Sequence, residues 1–232
     1  MIHTRHASGR LIGASLVIII VLCTALASGR ARAESSQPQI LVDRATVALQ
    51  DLLRGPDQRE LGPMLDTAAG VLIVPNMLKA GFFFGAEGGS GVLLARHQTG
   101  EWSAPAFYTV GSASFGLQFG AETSDVVFVI RNQGALEAVL SHKVKLGADV
   151  SAALGPIGVG REAAATTNVG ADIVAFAKSA GLFAGGSVEG TVIADRNDWN
   201  RIYYGGDTEP VAIIQGRISN PGADRLRQAL MR

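Results

Sequence analysis

Cysteine is nearly absent. Cys23 is the only one in 232 residues, which excludes an intramolecular disulfide and any cysteine-based zinc site. Histidine is scarce too: of four, only His97 and His142 lie beyond residue 33. With no His-Glu-x-x-His run and no calcium-loop spacing, neither a metal nor another cofactor is expected. Aromatics make up 6%, and the chain closes on a charged helical pattern, whereas an outer-membrane barrel carries aromatic girdles and an apolar lipid-facing band. Net charge is also missing, at a formal value of zero. All four charges before Glu34 are arginines, so the remainder carries 16 basic against 20 acidic residues, a net of −4. Global charge therefore gives no reason to expect a nucleic acid or another polyanion as partner.

Catalytic spacing is missing as well. "GAEGGSG" at 85–91 superficially suggests a phosphate loop, but it lacks the Lys-Ser/Thr ending and runs into the strand-like "VLLAR". It reads as the turn of a hairpin. "GSASFG" and "GGSVEG" do not fit Gly-x-Ser-x-Gly, so no nucleophile elbow is signalled. Asp125, Asp149, Asp172 and Asp195 are scattered among turns and strand edges. No enzyme is expected.

What is present begins with an export pattern. Arg5 and Arg10 precede the uncharged run Leu11 to Ala27, and Ala31-Arg32-Ala33 offers small residues at the two positions a signal peptidase reads. Residues 1–33 read as a cleavable signal peptide of an exported, periplasmic or envelope-associated protein. Two weaker alternatives stand beside it. The run is 17 residues long, at the lower limit for a transmembrane anchor; and Cys23 is a poor lipidation site because the bulky Leu22 precedes it.

Residues 34–68 read as an N-terminal helical segment. In "QILVDRATVALQDLLR", Leu41, Ala45, Ala48 and Leu52 fall on one helical stripe. In "DQRELGPMLDTAAG", Asp57 is a cap candidate with Glu60 three positions on, and Gly62-Pro63 weakens the middle. Residues 69–232 read as a β-rich domain with a C-terminal helix, forming one structural unit with 34–68. "GVLIVP" is a strand stopped by Pro75, and "AGFFFGAEGGSGVLLAR" is two strands meeting near the Gly/Ser-rich stretch. In "SASFGLQFGAE", Phe115, Leu117 and Phe119 share one parity and Gln118 the other. "KVKLGADVSAALG" alternates from Val144 to Leu154 as one strand, and "GLFAGGSVEGTVIAD" does likewise. Short helices are expected at "GALEAVLS", "DRNDWNRIYYG" and "PGADRLRQALM". Half-buried strands without long crossover helices predict an α+β fold: a predominantly antiparallel, strongly curved or barrel-like sheet with short peripheral helices.

Two surface features carry a functional reading. Lys143 and Lys145 share the parity opposite to the apolar residues, so both should point outward, as a solvated face or toward anionic head groups. In "FFF" at 82–84, Phe83 must oppose its neighbours if the segment is extended, which makes it either core or an exposed apolar contact.

The blocks "AAGVLIVPNMLKAGFFFGAEGGSGVLLAR", "WSAPAFYTVGSASFGLQFGAETSDVVFVI", "KLGADVSAALGPIGVG" and "GLFAGGSVEGTVIADRNDWNRIYYG" together resemble the SYLF domain family, the lipid-binding or actin-binding SYLF domain, from about Ala69 to Gly205. The resemblance implies a non-enzymatic module that binds phosphoinositide or another anionic phospholipid at a membrane surface. In eukaryotic members it extends to actin, whereas bacterial members usually carry an export signal. It also implies an amphipathic N-terminal helix as a membrane contact. Ile40 to Arg54 is the candidate, its Arg44 and Arg54 offset by Asp43 and Asp51. Ala69 departs from the pattern, where a basic residue is expected. The alternative is an envelope protein with the same fold that contacts another protein or peptidoglycan rather than lipid.

Overall fold

A computed structural model describes residues 37–56, 58–81, 84–115, 120–155, 170–177 and 188–231. Phe83, Leu117, Gln118 and Phe119 lie outside these residues. Helix α1 spans 37–54 and turns its predicted stripe inward, with Leu41, Ala45, Ala48 and Leu52 buried together with Val42 and Leu49. Helix α2, Gln58–Thr67, runs unbroken through Gly62 and Pro63.

Among the described residues, eight strands form one sheet in the order β5-β8-β3-β2-β1-β4-β7-β6, curled into a half-barrel. They are β1 Gly70–Gly81, β2 Phe84–Ala95, β3 Ala106–Phe115, β4 Gly120–Ile130, β5 Lys143–Lys145, β6 Ala152–Leu154, β7 Ile173–Ala177 and β8 Val192–Asp195. All pairings are antiparallel except β6 with β7. The central order β4-β1-β2-β3 is that of a Greek key. The remaining helices among the described residues are α3 Gln133–Leu140, α4 Asn197–Tyr204, α5 Pro210–Ile214, a 3-10 turn Pro221–Ala223 and α6 Asp224–Leu230. The sequence had not signalled α5.

The expected α+β class is observed, but the strands differ from the expectation in four ways. First, the central strands are buried on both faces, not one: Val71 and Ile73 pack under α1 and α2, while Leu72 and Val74 pack on the opposite face with α3 and α5. Continuous apolar runs such as "VVFVI" follow from that double cover. Second, Pro75 does not end β1. It sits with Asn76 in a bulge between Val74 and Met77, where no ladder hydrogen bond is asked of it. Asn76 takes φ 51° and donates its N–H to Asp125 Oδ1 at 3.0 Å.

Third, the Gly/Ser-rich stretch is strand rather than turn, because β2 begins at Phe84 and runs through Gly88 to Gly91. A Cβ on Gly91 would stand 2.8 Å from the Ile73 carbonyl oxygen, so glycine is there for close approach to β1. Farther along, β3 ends at Phe115 and β4 begins at Gly120; the residues between them lie outside those described. Fourth, "KVKLGADVSAAL" is two strands at opposite edges of the sheet. After Leu146 the chain turns at Gly147, φ 82°, before Val150.

Asp172 anchors the far edge. Its carboxylate accepts from Ser151 N (3.2 Å), Ser151 Oγ (2.5 Å) and Asn132 Nδ2 (2.6 Å). These bonds, the Ser151 hydroxyl first, hold its pKa below the usual carboxylate value. They join β6 and β7 to Asn132, whose Oδ1 caps α3 by accepting from Ala135 N at 2.8 Å.

Candidate functional site

Strand β5 follows α3 directly. The capped helix ends at Leu140, and His142 reverses the chain with φ 74° so that Lys143 starts the strand. Ile193 of β8 stands opposite Val144, which is buried, while Lys143 and Lys145 on either side are exposed. The parity read from the sequence is thus the observed one: both lysines project from an edge strand, away from the core that holds Val144.

The electrostatics around β5 are mixed. Asp149 Oδ2 accepts from the Lys145 N–H at 2.7 Å. His142 Nδ1 lies 3.1 Å from Asp195 Oδ2, and that hydrogen bond, reinforced by the carboxylate's charge, raises the imidazole pKa above its ordinary value. Asp195 Oδ2 also accepts from Asn197 Nδ2 at 2.7 Å. Glu209, the residue capping α5, completes a cluster with His142 and Asp195.

The other predicted residues lie elsewhere. Arg44 lines an open groove of about 350 Å³ with Ile40, Val47, Pro75 and Asp125, under the β1 bulge. In the sheet, β1 is separated from β5 by β2, β3 and β8, so Arg44 does not join the lysines. Arg54 is exposed, with its guanidinium 3.9 Å from Asp51. Ile40 and Val47 are both solvent-exposed on α1, one helical turn to either side of Arg44. Phe83 is outside the described residues.

Two features escaped the sequence reading. Lys79 Nζ and Glu87 Oε1 form an ion pair at 3.2 Å, the two side chains only 10% and 8% exposed. Glu122 stands opposite Lys79 on the other neighbouring strand. The second is the His142, Asp195 and Glu209 cluster, whose members are too far apart in sequence to make a motif.

A family model described as "Las17-binding protein actin regulator" (Ysc84) matches residues 111–232, more than half of the chain. The chain belongs to this SYLF family. The domain is 41% identical over 172 residues to LAS seventeen-binding protein 3 of Saccharomyces cerevisiae, covering 73% of this chain and 37% of that protein. Protein YSC84 of the same organism is 39% identical over 180 residues, with 76% and 38% covered. SH3 domain-containing YSC84-like protein 1 of Bos taurus is 35% identical over 168 residues, with 72% and 49% covered. This SYLF chain thus spans less than half the length of each of these relatives, one of which is named for binding LAS seventeen.

Proposed function

We propose that the protein is an exported, non-enzymatic SYLF module of the cell envelope that binds anionic phospholipid through the outer face of β5. The observation that carries this reading is the exposure of Lys143 and Lys145 on either side of buried Val144. A basic residue near an anionic bilayer contributes about 1 kcal/mol, so two supply roughly 2 kcal/mol, about thirtyfold in affinity. With a net charge of −4 beyond residue 33, the attraction is local and weakens as salt shortens the screening length below about 10 Å. In sedimentation with phosphatidylglycerol–cardiolipin vesicles, Lys143→Glu with Lys145→Glu should lower binding at least about tenfold while leaving the melting temperature nearly unchanged. If the double variant sediments like the parent, the lysines are a solvated face.

A second reading is favoured by the relatives' names, since two are named for YSC84 and one for binding LAS seventeen. In this reading the module contacts an envelope protein or peptidoglycan, and the parent protein shows no preference for anionic over neutral vesicles. Export places either partner outside the cytoplasm and away from actin. N-terminal sequencing of the protein recovered from its own envelope should begin within a few residues of Glu34; retention of residues 1–33 or a start at a lipidated Cys23 would refute cleavage.

A further inference from the structure

His142, Asp195 and Glu209 come from three separate segments: the turn after α3, the end of β8 and the residue before α5. Their ligating atoms all lie within 4.8 Å of one another. Around an ion with bonds of about 2.0–2.2 Å in tetrahedral geometry, neighbouring ligand atoms stand about 3.4 Å apart. His142 Nδ1 and Asp195 Oδ2, at 3.1 Å, are already near that spacing. Glu209 is exposed and its carboxylate makes no capping bond to α5, so it is free to draw in.

A second observation points into the same place. Tyr108 is fully buried, and its hydroxyl has no hydrogen-bond partner among the described residues. It stands directly opposite Asp195 in the β3–β8 ladder, so the two side chains rise side by side from one face of the sheet. Burial first, and then the charge of Asp195, raises the phenol pKa and keeps it protonated. A buried hydroxyl without a partner is costly. Water held on a cation at Asp195 is a strong donor, and the phenol oxygen would accept from it as an outer-shell partner of the site.

We propose that His142, Asp195 and Glu209 form a binding site for one divalent first-row metal ion, with the Tyr108 hydroxyl bonded to water on that ion. One imidazole with two carboxylates is a ligand set that zinc accepts, with water in the fourth position. The site is independent of the lipid reading, since none of its ligands is one of the β5 lysines.

The test is calorimetric titration of the untagged, EDTA-stripped protein with zinc chloride, paired with thermal melts. One equivalent should bind with a micromolar or lower Kd and raise the melting temperature. His142→Ala and Glu209→Gln, both at exposed side chains, should each weaken binding at least about tenfold, and Tyr108→Phe about tenfold. His97→Ala should bind like the parent. No saturable one-to-one binding, or parent-like binding in both His142→Ala and Glu209→Gln, overturns the site. Parent-like binding in Tyr108→Phe overturns the role given to the phenol.

Discussion

Lys79→Met should lower the free energy of unfolding by about 3–5 kcal/mol, the range for removing one partner of a buried ion pair. Lys79 is 8% exposed on β1 and its ammonium lies 3.2 Å from Glu87 Oε1. Glu122 stands in register on its other side. Without the ammonium, the Glu87 carboxylate is left largely buried without its counter-charge, and desolvation acts against the fold. A loss of this size is a large part of the roughly 5–15 kcal/mol that holds an ordinary domain together. It does not follow that the pair itself is strongly stabilising, because two charges also had to leave water. Lys79→Met with Glu87→Met should therefore lose less than Lys79→Met alone. Urea unfolding of the parent, the two single variants and the double variant measures this coupling. A Lys79→Met loss below about 1 kcal/mol would mean that water reaches the pair.

Residue patterns revealed what was local and missed what was paired at a distance. The stripe of α1 and the outward lysines of β5 follow from periods of 3.6 and 2, which depend only on near neighbours. Period 2 does not say which strand lies alongside. Val144 and Leu154 therefore read as one strand although they end at opposite edges of the sheet, parted by the turn at Gly147. Nothing local to Lys79 marks it as buried, and only the pairing with Glu87 makes its burial tolerable. His142 and Asp195 are 53 positions apart and meet because β5 pairs with β8, a register that no spacing encodes. Strand patterns with short helices were enough for the fold class, and whole blocks of sequence were needed for the family.

Gly91→Ala should cost about 2–3 kcal/mol, against the usual direction of a glycine-to-alanine change. Where the backbone accepts alanine, that change restricts the unfolded chain and stabilises by about 0.4–1 kcal/mol. At Gly91 the added Cβ would stand 2.8 Å from the Ile73 carbonyl oxygen, 2.8 Å from Val74 Cγ2 and 3.1 Å from Leu72 Cδ1. The first of these is backbone in the central strand β1, held by ladders to β2 and β4 on either side, so it cannot give way as a side-chain tip would. Relief requires β1 and β2 to part beside the Pro75 bulge, which loosens the buried Leu72 and Val74 on one face and Ile73 on the other. Overpacking of this kind costs about 1–3 kcal/mol, and a backbone contact places it at the upper end. Gly88, three residues earlier in the same strand, is the control: a Cβ there meets nothing closer than the Val110 carbonyl oxygen at 3.6 Å, an ordinary contact. Gly88→Ala should shift stability by less than about 1 kcal/mol in either direction. Urea midpoints of the two variants, compared at equal slope, separate close approach at Gly91 from a general need for glycine in β2. Equal midpoints would mean that Gly91 serves the strand in the same way as its neighbours, and that the β1–β2 spacing tolerates a methyl group.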